Sequence, residues 1–183
     1  MNKVNTHKLV FTALMAAMVC VLTFFRFPFL GSKVHLANAM CLLSGLLLGG
    51  VGGGLAAGIG SGLYDALWGG YDLIQCAITI ISKFMMAYIA AAIANAYRNP
   101  MPQKGRIISG SIVGALSYVA LYMLKTFVYQ RFIYGFPPET VWLTMLSKLP
   151  ASLINAVFAM AVTPIIYFAI RPVFQRQGLL EKL

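Results

Sequence analysis

A few polar residues stand where an otherwise apolar chain tolerates them least. Lys83 has apolar neighbours on both sides, and Lys148 is followed by Ser152 and Asn155 at spacings of four and seven, which lines up all three on one helix face. Asp65 is the only carboxylate inside an apolar stretch, with Tyr64 and Trp68 beside it. A charge at membrane depth costs about 3 kcal/mol on insertion scales, so each of these groups marks a candidate ligand site. Asp65 could instead pair with Lys83 or Lys148 and hold helices together. Even then one lysine remains for a carboxylate, phosphate or amide on a ligand. Arg26, Lys33, His35 and Asn38 add polar groups just before and within the second apolar stretch; His35 also suits a hydrogen-bonding residue at a helix start. Catalysis has little material. No H-E-x-x-H, G-x-S-x-G, P-loop or paired membrane aspartates occur, and two histidines with four acids leave little for metal or acid–base chemistry.

The elements that must position these residues are membrane spans. The chain has 60% hydrophobic and 10% charged residues and a mean hydropathy of +0.82, outside the soluble range. Six apolar runs, roughly 7–25, 34–49, 51–67, 74–96, 107–129 and 141–170, predict an all-α membrane protein of six transmembrane helices in one domain covering residues 1–183. With the N-terminus cytoplasmic, eight cations fall inside: Lys3, Lys8, Arg98, Lys104, Arg106, Arg171, Arg176 and Lys182. Three, Arg26, Lys33 and Arg131, fall outside, and Lys83, Lys125 and Lys148 lie in or at the rim of spans. That bias predicts cytoplasmic termini. It also accounts for a net charge of +10 without nucleic acid, through contact with anionic headgroups. Lys3 and Lys8 before an apolar run resemble a signal peptide, but Ala37-Asn38-Ala39 starts a second apolar stretch and lies too far along to be its cleavage site. Cys20, Cys41 and Cys76 form no C-x-x-C pair and read as packing residues.

Between the spans, Gly49 to Gly54 predicts a tight cytoplasmic turn, and Gly50, Gly54, Gly58 and Gly62 line one helix face. That face suits either close helix packing or room for a ligand. Trp68 and Tyr71 are placed to anchor at the interface or to stack on a ligand. The residues from Tyr97 to Arg106 read as a cytoplasmic loop, and the aromatic stretch from Gln130 to Thr140 as a lid. Pro150 and Pro164 interrupt the last span. The polar groups gather towards the outer half of the membrane, with the pocket expected between helices 3, 4 and 6.

Val34-His35-Leu36-Ala37-Asn38-Ala39, Leu46-Leu47-Leu48-Gly49-Gly50, the run Gly52 to Gly62 with Asp65, and Ile80-Ile81-Ser82-Lys83 together resemble the S-components of energy-coupling factor (ECF) vitamin importers. The resemblance implies a six-helix, cofactor-free vitamin-binding subunit in a prokaryotic cell membrane. Its partners would be a transmembrane coupling subunit and two ATPase subunits, and it would topple in the bilayer to carry its pocket inward. It also implies that the A-x-x-x-A face of Ala13 and Ala17 contacts the coupling subunit, although ordinary helix packing explains two alanines equally well. A glycine-lined helix 3, an aromatic lid and a scarcity of pocket charges favour a large ligand such as cobalamin. Pantothenate, whose carboxylate suits Lys83 or Lys148, comes next. A self-sufficient oligomeric channel or facilitator is the alternative of another class.

Overall fold

The computed structural model describes residues 6–29, 32–95 and 103–178. Within them the chain forms six helices: α1 (Thr6–Phe24), α2 (Ala37–Leu48), α3 (Gly50–Tyr64), α4 (Leu73–Ala94), α5 (Lys104–Val128) and α6 (Pro138–Arg176). Four helical segments, Thr6–Phe24, Leu73–Ala94, Lys104–Ile133 and Pro138–Arg176, are long and apolar enough to cross a bilayer. Each is apolar and weakly buried inside the bundle, so lipid is the solvent its outer face requires. α6, at 39 residues, is about 58 Å long, roughly twice the thickness of a hydrocarbon core. Lys3, Arg98 and Lys182 of the cation count, and Tyr97 to Pro102 of the cytoplasmic loop, lie outside the described residues.

α2 departs from the expected span. It has 12 residues and every one is buried. At about 18 Å it cannot cross a bilayer alone. A helix that is apolar on all sides belongs in the middle of a bundle, and α2 takes that place with Leu42, Leu43, Leu46 and Leu47 almost wholly inaccessible. Gly49, at φ 83, turns the chain directly into α3 because a left-handed conformation there costs glycine little.

The glycine face of α3 is packing, and it leaves no room for a ligand. A Cβ at Gly50 would meet the ring of Tyr88, at Gly54 that of Phe84, and at Gly58 and Gly62 Ile80. Side chains spaced by four on α4 thus fill notches spaced by four on α3. On the other faces, a Cβ at Gly53 would collide with the Ser44 carbonyl of α2, and one at Gly60 with the Ala16 carbonyl of α1. Backbone contact this close is available only to glycine. The three cysteines are free and buried.

The fold is not purely α-helical. Arg26–Phe29 and Ser32–His35 pair as an antiparallel hairpin, β1–β2, with Arg26 opposite His35 and Pro28 opposite Lys33. Sequence periodicity concealed it because the strands have four residues each and one holds a proline. The Gln130–Thr140 segment is also different from the expected loop. α5 continues through a wide π-type turn, Tyr129–Ile133, and α6 begins at Pro138, so little of the segment is loop. Asp65–Gly69 forms a second such turn at the end of α3. Both turns lie at the hairpin end of the bundle.

Candidate functional site

The short α2 leaves a space above its N-terminus, and the hairpin roofs it. The resulting cavity has a volume of about 400 Å³. Alternation along the strands explains the roof: Arg26, Pro28, Lys33 and His35 are on one face of the hairpin and line the cavity, whereas Phe27, on the other face, is 72% exposed. The walls come from polar stripes on four helices. They are Ser61 and Asp65 on α3 and its turn, Thr79, Ser82 and Lys83 on α4, Tyr118, Tyr122 and Lys125 on α5, and Lys148, Ser152 and Asn155 on α6. Tyr71 closes one side and Thr23 of α1 another.

The expected lysine–aspartate pair is absent among the described residues. Lys83, almost fully buried, donates to Oδ1 of Asn38 at the start of α2, and its ammonium lies 3.8 Å from the centroid of Tyr118. Asp65 and Thr79 line the same cavity, and the Thr79 hydroxyl oxygen accepts from Lys125 Nζ at 3.2 Å. Lys125 is therefore held by a hydroxyl and not by the carboxylate of Asp65. Lys125 also donates to the Gln75 carbonyl at 3.4 Å.

Asn155 does not face a ligand with its amide, as its place beside Lys148 suggested. Its Oδ1 accepts from the His35 backbone N–H at 2.8 Å, and its Nδ2 donates to the Lys33 carbonyl at 2.8 Å. One side chain on α6 thus pins the free edge of β2 as a neighbouring strand would. In the roof, burial lowers the Lys33 pKa, and the nearby Arg26 lowers it further. Burial likewise pushes His35 down to about 3, helped by Lys83, Arg26 and Lys33. His35 is therefore a neutral imidazole at physiological pH, and its Nδ1 is buried without a hydrogen-bond partner.

Tyr64 and Trp68 do not line the cavity. The Trp68 ring is 53% exposed and packs edge-on against Phe24 at 5.0 Å, while Tyr64 packs against Phe24 and carries the Arg26 guanidinium over its ring at 4.8 Å. The expectation that Trp68 stacks on a ligand is corrected accordingly: the wide turn at Asp65–Gly69 puts the indole on the outer surface. Tyr71, by contrast, lines the cavity, with Lys33 and Lys125 ammonium groups 5.7 and 5.5 Å from its centroid. The α5 wall went unrecognised in the sequence. Its signal was there, since Tyr118, Tyr122 and Lys125 have the same four-and-three spacing as Lys148, Ser152 and Asn155.

A second chamber of about 380 Å³ adjoins the first and shares Tyr71, Tyr122, Lys125 and Lys148 with it. Its remaining walls include Gln75, Tyr129, Gln130 and Tyr134, and Gln130 Oε1 is buried there without a partner. Asp72 fastens its rim, capping α4 through the Gln75 N–H and accepting from the Tyr129 hydroxyl at 2.9 Å. Those bonds hold the Asp72 carboxyl below its usual range.

On the outer surface, Ala13 and Ala17 are exposed beside Leu14 and Met18. The alanine that faces the bundle is Ala16. Packing inside this chain therefore does not account for Ala13 and Ala17.

A roofed polar cavity at one end of an apolar bundle defines a solute-binding membrane protein. Residues 3–172 match the family described as the ECF-type riboflavin transporter, S component, and the chain belongs to that family. It is accordingly a multi-pass membrane protein, in a family of transport subunits and not of enzymes. The fold is shared with a solved structure described as the S component of a bacterial ECF transporter, at 18% identity and a TM-score of 0.65, covering 91% of this chain and 96% of that one. No curated protein sequence matches the chain.

Proposed function

We propose that this chain captures a water-soluble vitamin in the cavity beneath the hairpin and delivers it by docking on a coupling subunit and two ATPase subunits. The observation that carries this reading is the 400 Å³ polar cavity, which opens at one end of the bundle while the rest is filled by leucine, alanine and glycine. Below the cavity the described core is leucine, methionine and alanine, which favours a closed pocket over a pore within one chain. The hairpin end would face outward, with α2 reaching only part of the way across the membrane and the termini in the cytoplasm. That orientation puts the exposed Lys104, Arg106 and Arg176 on the inner side, in keeping with the positive-inside rule.

The size of the cavity supports a ligand on the scale of riboflavin, which the family description names, or of pantothenate. It argues against cobalamin, a far larger molecule. The expectation of a large ligand rested on a glycine-lined wall, an aromatic lid and few pocket charges, but α4 fills that wall and five cations line the cavity. The exposed Ala13 and Ala17 are the surface through which the coupling subunit would be met, since small residues let a partner helix come close. Replacing both with tryptophan should abolish co-purification with the coupling and ATPase subunits while ligand binding by the isolated chain stays within about twofold. Assembly that survives the double substitution would remove α1 from the docking surface.

A further inference from the structure

The cavity walls carry an imbalance that a neutral ligand leaves unresolved. Arg26, Lys33, Lys83, Lys125 and Lys148 all line the main chamber, against a single carboxylate, Asp65. Among the described residues none of the five forms an ion pair. Four have found substitutes. Arg26 lies over Tyr64, Lys33 over Tyr71, and Lys83 over Tyr118 with a hydrogen bond to Asn38, while Lys125 uses the Thr79 hydroxyl and the Gln75 carbonyl. Lys148 has no hydrogen-bond acceptor or ring among the described residues, and like Lys125 it lines both chambers.

The position of these two lysines is specific. Lys125 and Lys148, with Tyr71 and Tyr122, line both chambers and so form the neck between them. Two like charges lining one neck at membrane depth are costly unless an anion lies between them. Resting on the vitamin-binding reading above, we propose that the ligand is an acid, with its carboxylate or phosphate held at the neck between Lys125 and Lys148 and its uncharged part lying in the chamber under the hairpin. The ammonium groups of both lysines would donate to the anion, and the aromatic faces of Tyr71 and Tyr122 would flank it. Gln130 Oε1, the buried acceptor without a partner in the second chamber, would take a hydrogen bond from any donor that extends past the neck. A neutral ligand would leave both lysines without a counter-charge, and water it displaced would no longer screen them.

Matched pairs of ligands that differ only in charge test this. The purified protein is titrated calorimetrically with pantothenate and its neutral alcohol analogue pantothenol, for a carboxylate, and with riboflavin 5′-phosphate and riboflavin, for a phosphate. In at least one pair the acid should bind about tenfold or more tightly than its neutral partner. Lys125→Met and Lys148→Met should each erase that preference, while Lys148→Arg should keep it. The arm that responds says which acid the site takes. Equal or tighter binding of the neutral member in both pairs overturns the proposal, as does a preference that survives both methionine variants. Binding of none of the four by protein that still assembles with its ATPase module also overturns the proposal and leaves the importer reading standing. Failure to assemble with any coupling module would instead remove the importer reading itself.

Discussion

The two ends of this bundle solve opposite problems with the same helices. At the Gly49 end, α2, α3 and α4 meet through glycine and alanine so closely that Gly45 and Gly53 sit against neighbouring backbone, and the buried side chains are leucine, methionine and alanine. At the hairpin end the wide turns Asp65–Gly69 and Tyr129–Ile133 end α3 and α5, and the space enclosed there is lined by polar side chains. Close packing at one end is what allows an open space at the other. A bundle with no water-driven collapse between its helices must be held by backbone-to-backbone fit, and here that fit includes Gly45, Gly53 and Gly110 in the half away from the cavity.

Substitutions in the two halves should therefore separate stability from binding. The largest effect is expected from Gly53→Val, whose added carbons have only the Ser44 and Gly45 backbone to displace. Upwards of about 3 kcal/mol of destabilisation should follow, seen as loss of folded, monodisperse protein in detergent. Retention of the wild-type melting temperature would mean that the packed half is looser than the geometry requires.

Asn155→Ala comes next and probes the join between the halves. It leaves the His35 N–H and the Lys33 carbonyl without their shared partner, at a cost of about 1–3 kcal/mol. Because that cost falls on the hairpin alone, ligand dissociation should accelerate by about tenfold with only a small change in melting temperature. An unchanged dissociation rate would show that the hairpin is held by other contacts.

The smallest effect is expected from Trp68→Ala. Its exposed indole touches Phe24 and Tyr64 and not the cavity, so affinity should change by less than about twofold. A tenfold loss would return this ring to the binding site.

The sequence disclosed the class of the fold and much of the cavity, and the reasons for the failures are local. Arg26, Lys33, His35, Asp65, Tyr71, Lys83, Lys148 and Asn155 were legible because polar groups in apolar surroundings are expensive, and all eight line the cavity. The role of Asn155 was not legible: a side-chain amide satisfies a strand edge as readily as a ligand, and the strand it serves is 120 residues away. Trp68 misled because spacing along α3 assumes a regular helix, whereas the π-type turn rotates residues beyond Asp65 away from that register. The α5 wall was missed because tyrosine is grouped with the hydrophobic residues although its hydroxyl is polar. Four-residue strands lie below the length at which alternation can be told from chance, so the hairpin that roofs the site left no periodic trace.

The central claim, that the ligand occupies the chamber beneath the hairpin, is tested most directly by filling that chamber. Ser152 is buried and faces it from α6. Native mass spectrometry of protein purified from cells in rich medium should find a retained small molecule on the wild type and none on Ser152→Trp, with the two proteins giving the same circular dichroism spectrum. An equal adduct on both proteins would contradict the assignment and place the ligand elsewhere.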